Sequence, residues 1–179
     1  MGNAGPVSAL DYELYVLHVM VDAPAELVDE TLHRAGVGRD AYHAAQRRVR
    51  DQNYIMLPAF EEVSRILGPP LREETAEEQG HDLQVRTFPL RLWDGYAFAV
   101  YGRGDGMIWS ERFVRTEDSP PSLEPWRMTK AEAEADYGPL EEEDLWPPYE
   151  AYRATIEGRR YLLVFSWSLL QAVTEIRDA

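Results

Sequence analysis

Four histidines, a run of carboxylates and a glycine cluster are the residues of this chain whose types could do chemistry. His18, His33, His43 and His81 are all separated by more than four residues. No helix can therefore present two of them at the i, i+4 spacing of a metal site. His81 stands beside Asp82 and is the natural candidate for a general base, with a plain loop histidine as the alternative. Ser110 and Ser166 lack the Gly-x-Ser-x-Gly elbow that exposes a nucleophile next to an oxyanion hole. The adjacent pairs Glu61-Glu62, Glu73-Glu74 and Glu77-Glu78 read as solvated surface, not as a paired acid and base. Gly102-Arg103-Gly104-Asp105-Gly106 is followed by Met107-Ile108-Trp109, a strand pattern, so it reads as a hairpin turn. A phosphate loop needs a helix at that point. Cysteine is absent, which removes thiol catalysis, thiolate metal sites and disulfides. Neither a cofactor nor a metal is expected.

Charge is distributed unevenly. The 179 residues carry 32 acidic and 18 basic side chains, a net −14, which opposes binding to nucleic acid phosphates. Eleven of the acids and only two of the bases, Arg127 and Lys130, fall between Glu117 and Glu150. Trp126, Tyr137, Trp146 and Tyr149 are interleaved with them. A concentration of negative charge speeds encounter with a basic macromolecule, and desolvated aromatic rings supply binding energy. A partner-binding surface is therefore expected at Trp126, Glu141, Glu142, Glu143, Asp144, Trp146 and Tyr149. The bland alternative is a segment that wraps the sheet, its tryptophans buried and its carboxylates wet. A magnesium or calcium site on Glu141–Asp144 would need a ligand spacing this run lacks. Arg47-Arg48-Val49-Arg50 is the small basic counterpart.

The elements that must position these groups follow from period and punctuation. Tyr12 to Val21 reads as a strand, with an amphipathic helix as the alternative. Asp22-Ala23-Pro24 opens a helix that stops at Gly36, Asp40 caps a second, and a third runs from Pro58 to Gly68. Residues 69–81 read as an acidic connector. Strands follow over 83–88, 96–101 and 107–114. Thr129 with Glu132 is a capping box for a short helix ending at Gly138-Pro139. Strands over 152–156 and 160–165 meet around Glu157-Gly158, and Ser168 with Gln171 opens a last helix. The expected fold is a single α+β domain, residues 1–179, with a mainly antiparallel sheet of five to six strands and helices clustered on one face. Residues 1–11 would be a flexible start, and 116–150 an acidic insertion rich in proline and tryptophan. No internal repeat is evident.

Asp22-Ala23-Pro24-Ala25-Glu26-Leu27-Val28 resembles the strand-to-helix opening of the helix-grip ligand-binding domains. That resemblance implies a long run of strands and one long closing helix, whereas here three helices come first. Leu10-Asp11-Tyr12-Glu13-Leu14 is similar to the start of some small bacterial immunity proteins. The leading expectation is a non-enzymatic, cytoplasmic binding protein that masks a basic protein partner, as an immunity or antitoxin protein does. Neither nucleic acid nor membrane contact is expected, and self-association stays open. The alternative is a small-molecule-binding protein or acid–base enzyme. Its pocket would lie between sheet and helices, with His18, His81 and Glu111 as working groups and Trp93, Tyr96, Phe98, Trp109 and Phe165 as lining.

Overall fold

The computed structural model describes residues 6–51, 59–146 and 148–177. The elements, in chain order, are α1 (Ala9–Val19), α2 (Ala25–Arg34), α3 (Arg39–Asp51), α4 (Phe60–Leu67), β1 (Arg72–Glu78), β2 (His81–Pro89), β3 (Tyr96–Arg103) and β4 (Ile108–Arg115). After these come α5 (Lys130–Tyr137), β5 (Glu141–Trp146), β6 (Tyr149–Ile156), β7 (Arg159–Ser166) and β8 (Leu169–Ile176). The eight strands form two antiparallel four-stranded meanders, β1-β2-β3-β4 and β5-β6-β7-β8, in place of the expected single sheet of five to six. The shortfall has two sources: β1 and β5 are acidic strands without a hydrophobic alternation, and β8 mimics a helix. The chain divides into two compact units, Met1–Val19 with Asp29–Thr116, and Met20–Val28 with Glu117–Ala179. Among the described residues no helix is long and apolar enough to cross a membrane.

In the first unit, the expected strand over Tyr12–Val21 is the helix α1. Ser8 and Asp11 cap its start reciprocally: the Ser8 N–H and hydroxyl donate to the Asp11 carboxylate at 3.0 and 2.7 Å, and the Asp11 N–H donates to Ser8 Oγ at 3.2 Å. Apolar residues on both parities arise because this helix is buried nearly all round, Tyr12, Leu14, Val16 and Leu17 included. Its acids are buried too. Asp11 pairs with Arg48 of α3, and Glu13 accepts the Arg91 and Leu92 N–H groups at 2.8 and 2.9 Å. Of the expected flexible start, residues 1–5 lie outside the described residues, Val7 is buried and Ala9–Asp11 already belong to α1. The expected helix start at Pro58 also lies outside them. Residues 72–78, expected to be connector, pair with β2 through a turn whose two residues, Gln79 and Gly80, have φ of 51° and 78°.

In the second unit, α5 packs on β6 to β8 around a core of Met128, Ala133, Tyr152, Ala154, Leu163, Phe165 and Leu170. The helix expected after Ser168 is the strand β8, entered through Trp167 and Ser168 at φ 47° and 62°. A β-bulge explains the misreading. Phe165 faces Leu170 and Val164 faces Ala172, so Gln171 is an extra residue and Leu170 and Val173 face the same core. Their spacing of three residues imitates one turn of helix. Among the described residues, neither the strand before Asp22 nor the closing helix that the helix-grip resemblance implies is present.

The two units repeat one plan. Each has an eight-residue helix, α4 or α5, closed by a glycine at positive φ (Gly68, 89°; Gly138, 82°) whose N–H returns to Ser64 O or Glu134 O. Then come proline, a leucine (Leu71 or Leu140), an acidic first strand and a four-strand meander. The sequence conceals this repeat because only Gly-Pro, a leucine and a few glutamates survive in both copies.

Candidate functional site

β5 is the first strand of the second meander, and all six of its residues are exposed. Uninterrupted alternation would place Glu141, Glu143 and Leu145 on one side and Glu142, Asp144 and Trp146 on the other. The register shifts between Glu142 and Asp144. Glu141, Asp144 and Trp146 consequently stand opposite Arg153, Ala151 and Tyr149, alternate residues of β6 that share one face. Glu143, the extra residue, joins that face through its 2.6 Å bond to Arg153. Glu142 stands opposite Tyr152, on the side of the α5 core. One bulge thus assembles three carboxylates and an indole on a single face.

The far end of this strand is an apolar tip with an acidic collar. Trp146 is 77% exposed, and Leu145 and Val21 are about two-fifths exposed (41% and 42%). The tip is fixed from below: the Trp167 N–H donates to Pro148 O at 2.9 Å, and the Val21 N–H donates to Ser166 Oγ at 3.2 Å. The second of these bonds brings Val21 and Asp22 to the hairpin. Burial first, and the Asp144 and Asp22 carboxylates after it, push the Tyr149 hydroxyl pKa up. Val21 and Asp22 carried no sequence signal for this role. Leu145 was legible as Trp146's neighbour.

No family model matches the chain, and no curated protein matches it. Among solved structures it is similar to a crystal structure of a "putative beta-lactamase inhibitor protein" from Streptococcus mutans, at 13% identity and a TM-score of 0.30 over 66% of this chain and 82% of that one.

Of the residues expected at the surface, Trp126 is the correction. It is 9% exposed, and its indole N–H donates to Gln171 Oε1 at 2.8 Å. Its backbone N–H donates to Leu170 O at 2.8 Å, so it is buried in the unit and not on its surface. Glu141, Glu142, Glu143, Asp144 and Trp146 lie on β5, and Tyr149 is half-buried across the hairpin. The described residues hold no group of three or more His, Asp or Glu placed to bind a metal ion.

The residues of the alternative pocket are distributed over separate contacts. Trp93 and Tyr96 are buried against Phe113, at ring distances of 4.9 and 6.3 Å. Glu111 accepts the Tyr12 hydroxyl at 2.6 Å. His81 lies 5.0 Å from Trp109, which a third bulge sets beside Arg103. Phe165 belongs to the core of the other unit.

His18 sits on α1, 5.4 Å from Tyr42 and 6.3 Å from His43, and is not on a buried strand. Burial first, and His43 second, hold its pKa below the ordinary 6.5. As pH falls below that value the unfolded chain takes up its proton before the folded one. Stability contributed here is therefore full above about pH 6.5 and declines below it, down to the folded pKa. Asp11 has its pKa lowered: burial acts to raise it, and the bonds from Arg48 and Ser8 outweigh that. Its contribution is lost only under 3.8, outside this window. Urea unfolding at pH 7.5 and 5.5 should show a decline in the parent chain that is smaller in His18→Gln. Equal declines would refute the assignment.

Proposed function

We propose that this protein is a non-enzymatic binding module that masks a basic protein partner with the carboxylate-bearing face of β5 and the Trp146 tip, in the manner of an immunity or antitoxin protein. The observation that carries this reading is the exposure of Trp146, 77%, on the same face as Glu141, Glu143 and Asp144. A tryptophan left in water on a fixed hairpin is apolar surface held ready for burial. Such rings are enriched among the residues that dominate interface energies. The collar of carboxylates would steer a cationic surface towards it and discourage acidic ones. The basic partner, and its masking, are the finer part of the proposal.

The test is photo-crosslinking in the cell that makes the protein, from a reactive residue placed at Leu145. A captured protein of high isoelectric point is expected. Its capture should fall at least tenfold in Trp146→Ala, and also in the triple change Glu141→Gln, Glu142→Gln, Asp144→Asn. Raising salt from 0.15 to 0.5 M should weaken it further. Capture of an acidic protein, or capture indifferent to all three manipulations, would sink the reading.

A further inference from the structure

Resting on that reading, we infer that the basic partner is held by strand addition: an extended segment with Lys or Arg at alternate positions pairs with the outer edge of β5. Three observations select this edge and this occupant. The first is the backbone. β5 pairs with β6 on one side, and among the described residues nothing pairs with the other. The opposite end of the same sheet is treated differently. There the chain's own residues 126–130 lie along the start of β8, through Trp126 N–H to Leu170 O at 2.8 Å, Leu170 N–H to Met128 O at 2.9 Å and Lys130 N–H to Ser168 O at 2.9 Å. An exposed edge is a template for another strand.

The second observation is charge balance, and the internal repeat supplies the control. β1 is the equivalent acidic first strand of the other meander, and three of its four carboxylates, all but Glu77, are matched among the described residues. Glu74 meets Arg72 at 2.8 Å, Glu78 meets Arg112 at 2.9 Å, and Glu73 meets Arg86 at 3.6 Å. On β5 only Glu143 is matched, by Arg153. Glu141, Glu142 and Asp144 make no ion pair among the described residues. Glu141 and Asp144 share one face and could meet cations at alternate positions of an incoming strand, while Glu142 lies on the other face.

The third observation excludes a second copy of this chain. Two β5 strands paired edge to edge would set carboxylates against carboxylates, which is destabilising. A basic strand meets attraction where a copy meets repulsion. Beyond the acids, the exposed Leu145 and Trp146 extend the same edge and suit an apolar residue at the end of the incoming segment.

The probe is a labelled ten-residue peptide alternating Lys and Val, titrated into the full chain at 0.15 M salt. It is compared with the same peptide methylated on every backbone nitrogen. Methylation keeps the charges and removes every backbone N–H that the peptide could donate to the ladder. The unmethylated peptide should bind at least tenfold more tightly and slow hydrogen exchange of the amides in Glu141–Trp146. Equal affinities would overturn strand addition while leaving charge-driven docking intact. Protection of Arg72–Glu78 in place of Glu141–Trp146, or no binding by either peptide, would overturn it as well. The crosslinking experiment decides the broader reading separately, because its outcome does not depend on how the backbone is engaged.

Discussion

Trp126→Ala is expected to lower the stability of the chain by about 4 kcal/mol, whereas Trp146→Ala should change it by no more than about 0.5 kcal/mol. The two rings are twenty residues apart in one acidic stretch and differ entirely in surroundings: 9% exposed against 77%. Removing Trp126 empties a space in the core. It also strips the indole N–H from Gln171, which is fully buried and already donates its amide to Leu169 O at 2.8 Å. An orphaned buried acceptor adds about 1–3 kcal/mol to the cavity term. Trp126→Phe separates the two contributions, because it keeps most of the volume and loses only the donor. A loss of about 1–2 kcal/mol is expected for it. Chemical denaturation of the three variants reads all of this. Comparable losses in Trp126→Ala and Trp146→Ala would contradict the assignment of one ring to the core and the other to the surface.

Gly102→Ala is the second large effect, about 3 kcal/mol for a single methyl group. A Cβ built on Gly102 would lie 2.4 Å from Phe60 Cγ and 2.5 Å from Cδ2, far inside contact distance. The ring has little room to retreat. Phe60 is 2% exposed, carries the Arg86 guanidinium 4.6 Å from its centroid, and donates its backbone N–H to Gly106 O at 3.0 Å. β3 and α4 can approach this closely only because position 102 has no side chain. Phe60→Leu in the Gly102→Ala background should recover part of the loss. The double-mutant cycle would then show a coupling above about 0.5 kcal/mol. Strict additivity of the two changes would mean the contact is not made.

Much of the helical part of this fold was legible along the chain. The capping box of Thr129 and Glu132, the glycine stops at Gly36, Gly68 and Gly138, and the apolar stripe of Phe60, Val63 and Leu67 all mark helices that form where expected. Ser8-x-x-Asp11 is an equally readable cap for α1, but the valines and tyrosines that follow it favour a strand by propensity. The strands were harder. β1, Arg-Glu-Glu-Thr-Ala-Glu-Glu, has almost no strand propensity. It is a strand because β2 offers it an edge and because Arg86 and Arg112 reach its carboxylates.

Composition and order alone determined the concentration of acid in one stretch, the absence of thiol chemistry and the helix ends, because each depends on residue type or on groups within about four positions of one another. Which tryptophan is core and which is surface, and which carboxylates share a face, were decided only by tertiary structure. Both turn on cross-strand register. A single extra residue, at Glu143 or at Gln171, moves every side chain beyond it to the other face of the sheet. The strands opposite fix that extra residue, and the period of the bulged strand does not reveal it.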